Sequence, residues 1–177
     1  AGKPKPVDRP LSEALALRYP DPAPADRAPL DRAYADAMAK VVAQFPDDDD
    51  AQAMYAESLM DLSPWNYWTP NGAPNPDTPK IVGALETVLK RNPKHIGAIH
   101  YYIHAVEASA DPARAEALAD TLGDLAPGSA HLVHMPAHIY IRTGRYNDAT
   151  TTNFRASTAD KEFLAVCRGS NGMYPLG

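Results

Sequence analysis

The chain has 177 residues, 45% of them hydrophobic, and a formal net charge of −5. That apolar supply can fill a continuous core, which excludes wholesale disorder. Both signs of charge are interspersed, so no basic face argues for nucleic acid or an anionic membrane. No apolar run approaches the length of a membrane span, so no membrane insertion is expected. The proline-rich start AGKPKPVDRP carries no leader pattern, and export is left open. The lone Cys167 has no intrachain disulfide partner and reads as a semi-buried small hydrophobe.

Residues 1–10 read as a flexible arm, followed by a helix over Leu11–Tyr19 opened by Ser12. Pro20–Pro29 is a turn-rich connector. Asp31–Phe45 is amphipathic, with Tyr34, Met38, Val41, Val42 and Phe45 on one face. The run Asp47–Asp50 supplies caps to a helix over Ala51–Leu62, where the helix dipole favours negative charge; a hard-cation site is the weaker reading. The stretch 63–79 reads as an ordered loop insertion, in which Trp65, Tyr67 and Trp68 either pin the loop to the core or form a lid over a groove. Helices resume over Pro79–Arg91, Ile96–Ala108, Pro112–Leu125, Ser129–Thr143 and Tyr146 to about Phe163. Thr78-Pro79 and Asp111-Pro112 read as caps followed by proline at the first helical position. Pro136 implies either a kinked helix or one that begins near it, and the repeat register favours the kink. No segment alternates long enough for a sheet.

Pro93 and Pro127 each close a helix pair and lie 34 residues apart. The preceding unit ends at Pro46, 47 residues earlier, and the extra 13 fit inside the 63–79 loop. Ala137 and Tyr140, then Gly144, Tyr146 and Ala149, together with this period, resemble the tetratricopeptide (TPR) repeat. Ala115 keeps the small position in the unit before. The resemblance implies an all-α, TPR-like α-solenoid of antiparallel helix pairs over residues 11–177. Its units end near Pro46, Pro93 and Pro127, with a last one to about 163. In such stacks the first helix of each pair lines the concave groove.

Five of the six histidines fall between His100 and His138. His100, His104 and Glu107 are at i, i+4 and i+7, and His131, His134 and His138 at i, i+3 and i+7, so each set occupies one helical stripe. A shift of 34 carries His100 onto His134 and His104 onto His138, and the insertion makes Glu57 the equivalent of His104 one unit earlier. Imidazole with carboxylate suits zinc, copper, iron or nickel, copper or zinc ahead of iron. His100, His104, His134 and His138 are the candidate ligands; Glu57, Glu107 and His131 are secondary candidates or orienting partners. His95 reads as a surface residue.

The alternative is a protein-interaction scaffold that binds a peptide in the groove, the histidines then forming a hydrogen-bond network. A third reading is a metal-dependent hydrolase or oxidase with Glu57 or Glu107 as general base. The reading leans against an enzyme: no nucleophile triad, phosphate loop or dinucleotide fingerprint is present. The strings HYYIHAVEAS, LMDLSPWNYWTP and HLVHMPAHIY resemble a group of bacterial TPR-repeat proteins of uncharacterised activity. That resemblance implies a piece of a longer chain, in a bacterial cytoplasm or periplasm.

Overall fold

The computed structural model describes residues 3–22 and 24–166. Cys167 and Met173–Gly177 lie outside them. The described chain is helical and forms two compact units, one running to Ala110 and the other starting at Asp111.

The first unit holds α1 (Asp8–Ala16), α2 (Ala28–Gln44), α3 (Asp49–Met60), α4 (Thr78–Arg91) and α5 (Ile96–Val106). Each packs against the next, and α3 also meets α5, as stacked helix pairs require. The expected flexible arm ends sooner than residue 10, because α1 starts at Asp8 and Val7 is buried against α2. Ser12 is not the cap: its hydroxyl donates to the Asp8 carbonyl one turn back. Helix α2 takes in the end of the expected connector, with Pro29 in its first turn, where the missing N–H costs nothing. Its core stripe is Tyr34, Met38 and Val41, while Val42 and Phe45 are partly buried.

The acidic run is used by the protein's own groups. Asp48 caps α3 by accepting from the Ala51 amide at 2.9 Å. Asp47 and Asp49 receive the guanidinium of Arg91 at 2.9 and 2.8 Å, which ties the end of α4 to the α2–α3 turn. His95, expected at the surface, caps α5 instead. Its Nδ1 accepts from the Ala98 amide at 3.0 Å and its Nε2 lies 3.2 Å from Asp50 Oδ1. A ring that accepts at Nδ1 carries its proton on Nε2, so both contacts are satisfied by one neutral tautomer.

Residues 61–77 form the loop between α3 and α4. The Trp68 indole donates to the Ala105 carbonyl of α5 at 2.7 Å, and Trp68 pairs with Pro74 in an isolated bridge. Thr78 is buried, and its hydroxyl holds the Tyr67 carbonyl rather than capping α4.

In the second unit a 3-10 turn (Pro112–Ala115) leads into α6 (Glu116–Leu125), followed by α7 (Ala130–His134), α8 (Pro136–Arg142) and α9 (Tyr146–Val166). Asp111 makes no side-chain cap. Met135 keeps helical angles between α7 and α8, and proline's missing N–H and ring interrupt the ladder there, so the two are one helix kinked at Pro136. Gly144 ends α8 at φ 80°, and the Arg145 amide reaches back to the Tyr140 carbonyl at 2.8 Å. Ala137, Tyr140 and Ala149 are buried, whereas Tyr146 is 66% exposed and does not pack as the repeat pattern implies. Arg145 stacks over Tyr140 at 4.2 Å and bonds Asp120 and Asp148 at 2.9 and 2.7 Å, joining α6, α8 and α9.

Helices α2, α4 and α6 end at Gln44, Arg91 and Leu125, two residues before Pro46, Pro93 and Pro127 respectively. Leu85 of α4 is fully buried and Leu17 half exposed. Leu85→Ala is therefore expected to cost about 2–5 kcal/mol and Leu17→Ala about 0.5 kcal/mol. Urea titration followed by circular dichroism measures both; equal shifts would contradict this packing.

Candidate functional site

Helix α5 buries Ile99, Tyr102, Ile103 and Val106, which leaves His100, His104 and Glu107 on its other, half-buried stripe. The His100 and His104 rings meet edge to face at 5.0 Å between centroids. His104 Nδ1 lies 3.2 Å from Glu107 Oε1. A carboxylate at Nδ1 places the ring proton there and makes Nε2 the lone-pair nitrogen, the arrangement that raises an imidazole's basicity as a ligand.

Glu57, on α3, opens onto the same cavity as His104. That cavity measures 240 Å³ and is walled by Glu57, Asp61, Trp65, Tyr67, Tyr101 and His104. Behind the two carboxyl groups sits Arg18. Its Nε bonds Asp31 Oδ1 at 2.9 Å, and its Nη1 contacts Glu57 Oε1 at 3.5 Å and Asp61 Oδ2. Tyr34 donates to Glu57 Oε2 at 3.4 Å. Asp61 Oδ2 is buried in its ion pair with Arg18.

Burial, then the neighbouring Asp61 charge, pushes Glu57 up to about 7, with Arg18 opposing. Burial also raises Asp61, again against Arg18. Tyr67 and Tyr101 are pushed up chiefly by burial, so both walls present neutral hydroxyls. Trp65 is 75% exposed and sits at φ 56°, a left-handed conformation that bulky residues seldom hold.

In the second unit the kinked α7–α8 helix aligns its histidines. His134 Nε2 and His138 Nε2 lie 3.0 Å apart, and His134 Nδ1 is 2.6 Å from Asn153 Oδ1 on α9. The amide oxygen can only accept, so His134 carries its proton on Nδ1 and directs the Nε2 lone pair toward His138. His131 is exposed, with its ring 6.5 Å from that of His134.

Within the first unit, then, the structure brings together His100, His104 and Glu107, and sets Glu57 and His104 on one cavity. Within the second it brings together His134 and His138, with His131 at the margin. Trp65 and Tyr67 wall the cavity, while Trp68 anchors the loop. Sequence reasoning missed Arg18, Asp61, Tyr34, Tyr101 and Asn153. Asp61 follows Glu57 at i+4 and was open to the helical rule; Arg18, in the turn after α1, and Asn153, on α9, come from other parts of the chain and leave no periodic signal.

The described helices define an all-α, TPR-like α-solenoid fold. Among solved structures the chain is similar to MamA MSR-1, with TM-score 0.56 at 16% identity over 88% of this chain and 94% of that one. It is similar also to MamA AMB-1, with TM-score 0.56 at 17% identity over 91% and 94%. At these identities the likeness is one of fold. No family model and no curated protein matches the chain. Among the described residues no helix is long and apolar enough to cross a membrane.

Because Glu57 keeps its proton to about pH 7 when folded and loses it near 4.5 when unfolded, its contribution to stability falls as pH rises through that window. Glu57→Gln removes the dependence. The melting temperature of the variant relative to the parent should therefore be higher at pH 8 than at pH 5; a flat difference would mean that Arg18 cancels the burial cost.

Proposed function

We propose that this chain binds a transition-metal ion, copper or zinc ahead of iron, through its paired helical histidines. The observation that carries the reading is the 3.0 Å separation of His134 Nε2 and His138 Nε2, with Asn153 holding the far nitrogen of His134. Two nitrogens bound to one tetrahedral zinc at about 2.05 Å each stand roughly 3.3 Å apart, so an ion enters with a shift of a few tenths of an ångström. His104 with Glu107 supplies a second ligand of the same kind, an imidazole whose other nitrogen faces a carboxylate. The 34-residue register, which gives His134 the repeat position of His100 and His138 that of His104, supports counting both stripes in one binding function. Glu57, Glu107 and His131 keep their secondary places.

The broader reading, a scaffold for protein partners, is supported by the TPR-like fold, whose stacked helix pairs present extended binding surfaces. A hydrolase or oxidase would require turnover, and no residue arrangement favours it over binding.

Elemental analysis of the gently purified protein is expected to give near-stoichiometric copper or zinc. His134→Ala/His138→Ala should lose the ion held by that pair, and His104→Ala should lower the remaining content. Asn153→Ala, which touches no ion, should weaken zinc or copper binding by about 10–100-fold in a competition titration with a chelating dye. A metal-free parent that takes up neither added ion would overturn the reading in favour of the scaffold.

A further inference from the structure

We propose that the first unit's cavity between α3, α5 and the 61–77 loop is a receptor for an alkylammonium group, either the end of a lysine side chain or a small free amine. It goes beyond the metal reading and does not rest on it. The walls combine the two features that recognise such a group. Glu57 and Asp61 present carboxyl oxygens, and Trp65, Tyr67 and Tyr101 present aromatic surface.

The ion pairs place three carboxyl groups, Asp31, Glu57 and Asp61, on the single guanidinium of Arg18, so even with Glu57 holding its proton two carboxylates share one positive charge. Asp61 lines the cavity with its side chain 23% exposed, so its carboxyl group is open to an incoming N⁺–H as well as to Arg18. The loop holds Trp65 left-handed with its indole mostly in solvent, a costly posture for an apolar ring that covering a ligand stem would offset. At 240 Å³ the cavity falls below the ~300–1,000 Å³ of drug-sized sites, which fits one side-chain end rather than a whole metabolite. The aromatic walls favour a weakly hydrated organic cation, whose stem they can cover.

The test uses the full chain in excess EDTA, which removes metal binding from the readout. Calorimetry and tryptophan fluorescence follow titration with n-butylammonium, a short peptide containing one lysine, and uncharged n-butanol. Saturable binding of butylammonium is expected, with butanol weaker by at least about tenfold. Asp61→Asn and Trp65→Ala should each weaken butylammonium by about tenfold while far-UV circular dichroism stays that of the parent. A lysine peptide that binds much more tightly than butylammonium assigns the site to a protein partner, and equal affinity assigns it to a free amine.

Equal affinity for butanol would overturn the proposal, leaving a merely apolar hole. Failure of both butylammonium and the peptide to saturate would overturn it as well, as would full binding by folded Asp61→Asn. Each of those results leaves the elemental analysis of the histidine pairs untouched.

Discussion

A helix of three turns cannot bury its apolar stripe by itself, and everything else in this protein follows from that constraint. Helices α3, α5 and α6 have 12, 11 and 10 residues. Each is held by neighbours laid against it closely enough to exclude water, and alanine is the residue that permits the approach. Ala53 and Ala56 on α3, Ala98 and Ala105 on α5, and Ala119, Ala137 and Ala149 in the second unit are all buried. Large side chains, Leu85, Ile99, Ile103 and Leu122, fill the spaces between. Once one stripe of a short helix is committed to this packing, the opposite stripe is left for polar groups at the same spacing.

The histidines occupy that remaining stripe. Their geometry comes from the helix itself, because residues four apart sit one above the other on the same face. Helical spacing alone does not aim an imidazole, however. In the second unit Asn153 on α9 selects which nitrogen of His134 carries the proton, and in the first Glu107 does the same for His104. The kink at Pro136 falls between His134 and His138 and leaves their rings 4.9 Å apart. A helix bent at this point stays helical through Met135 because its flanking turns are packed against α9.

Much of the fold could be read in advance because its signals are local. Proline cannot continue a helix, so Pro46, Pro93 and Pro127 mark where α2, α4 and α6 must already have ended. The apolar spacing of Tyr34, Met38 and Val41 named the buried face of α2 for the same reason. What could not be read is set by tertiary contact. Val7 looks like part of a polar arm until α2 covers it. His95 looks like a surface ring until the turn before α5 places its nitrogen over the Ala98 amide. The candidate ligands, and Glu107 that aims His104, were legible as stripes, whereas Asn153 and Arg18 come from parts of the chain distant in sequence. Arg18 reaches Glu57 and Asp61 from α1's end across some forty residues of chain, which no periodicity encodes.

That reach has an energetic meaning. Replacing a buried cluster of charges by apolar side chains of similar volume is often neutral or stabilising, because desolvation consumes most of the Coulombic gain. Two carboxyl groups one turn apart on α3 add mutual repulsion to that burial, and a single guanidinium shared with Asp31 does not compensate both. Helix packing has no use for this arrangement, since Met60, Ile99 and Ile103 show that apolar residues fill this unit well. The cost becomes intelligible once the cavity beside the cluster is included. A preorganised pair of carboxyl groups, largely buried and walled by aromatic rings, has less solvation left to lose when a cation arrives. The same expense that makes the cluster a poor element of stability makes it an efficient element of recognition.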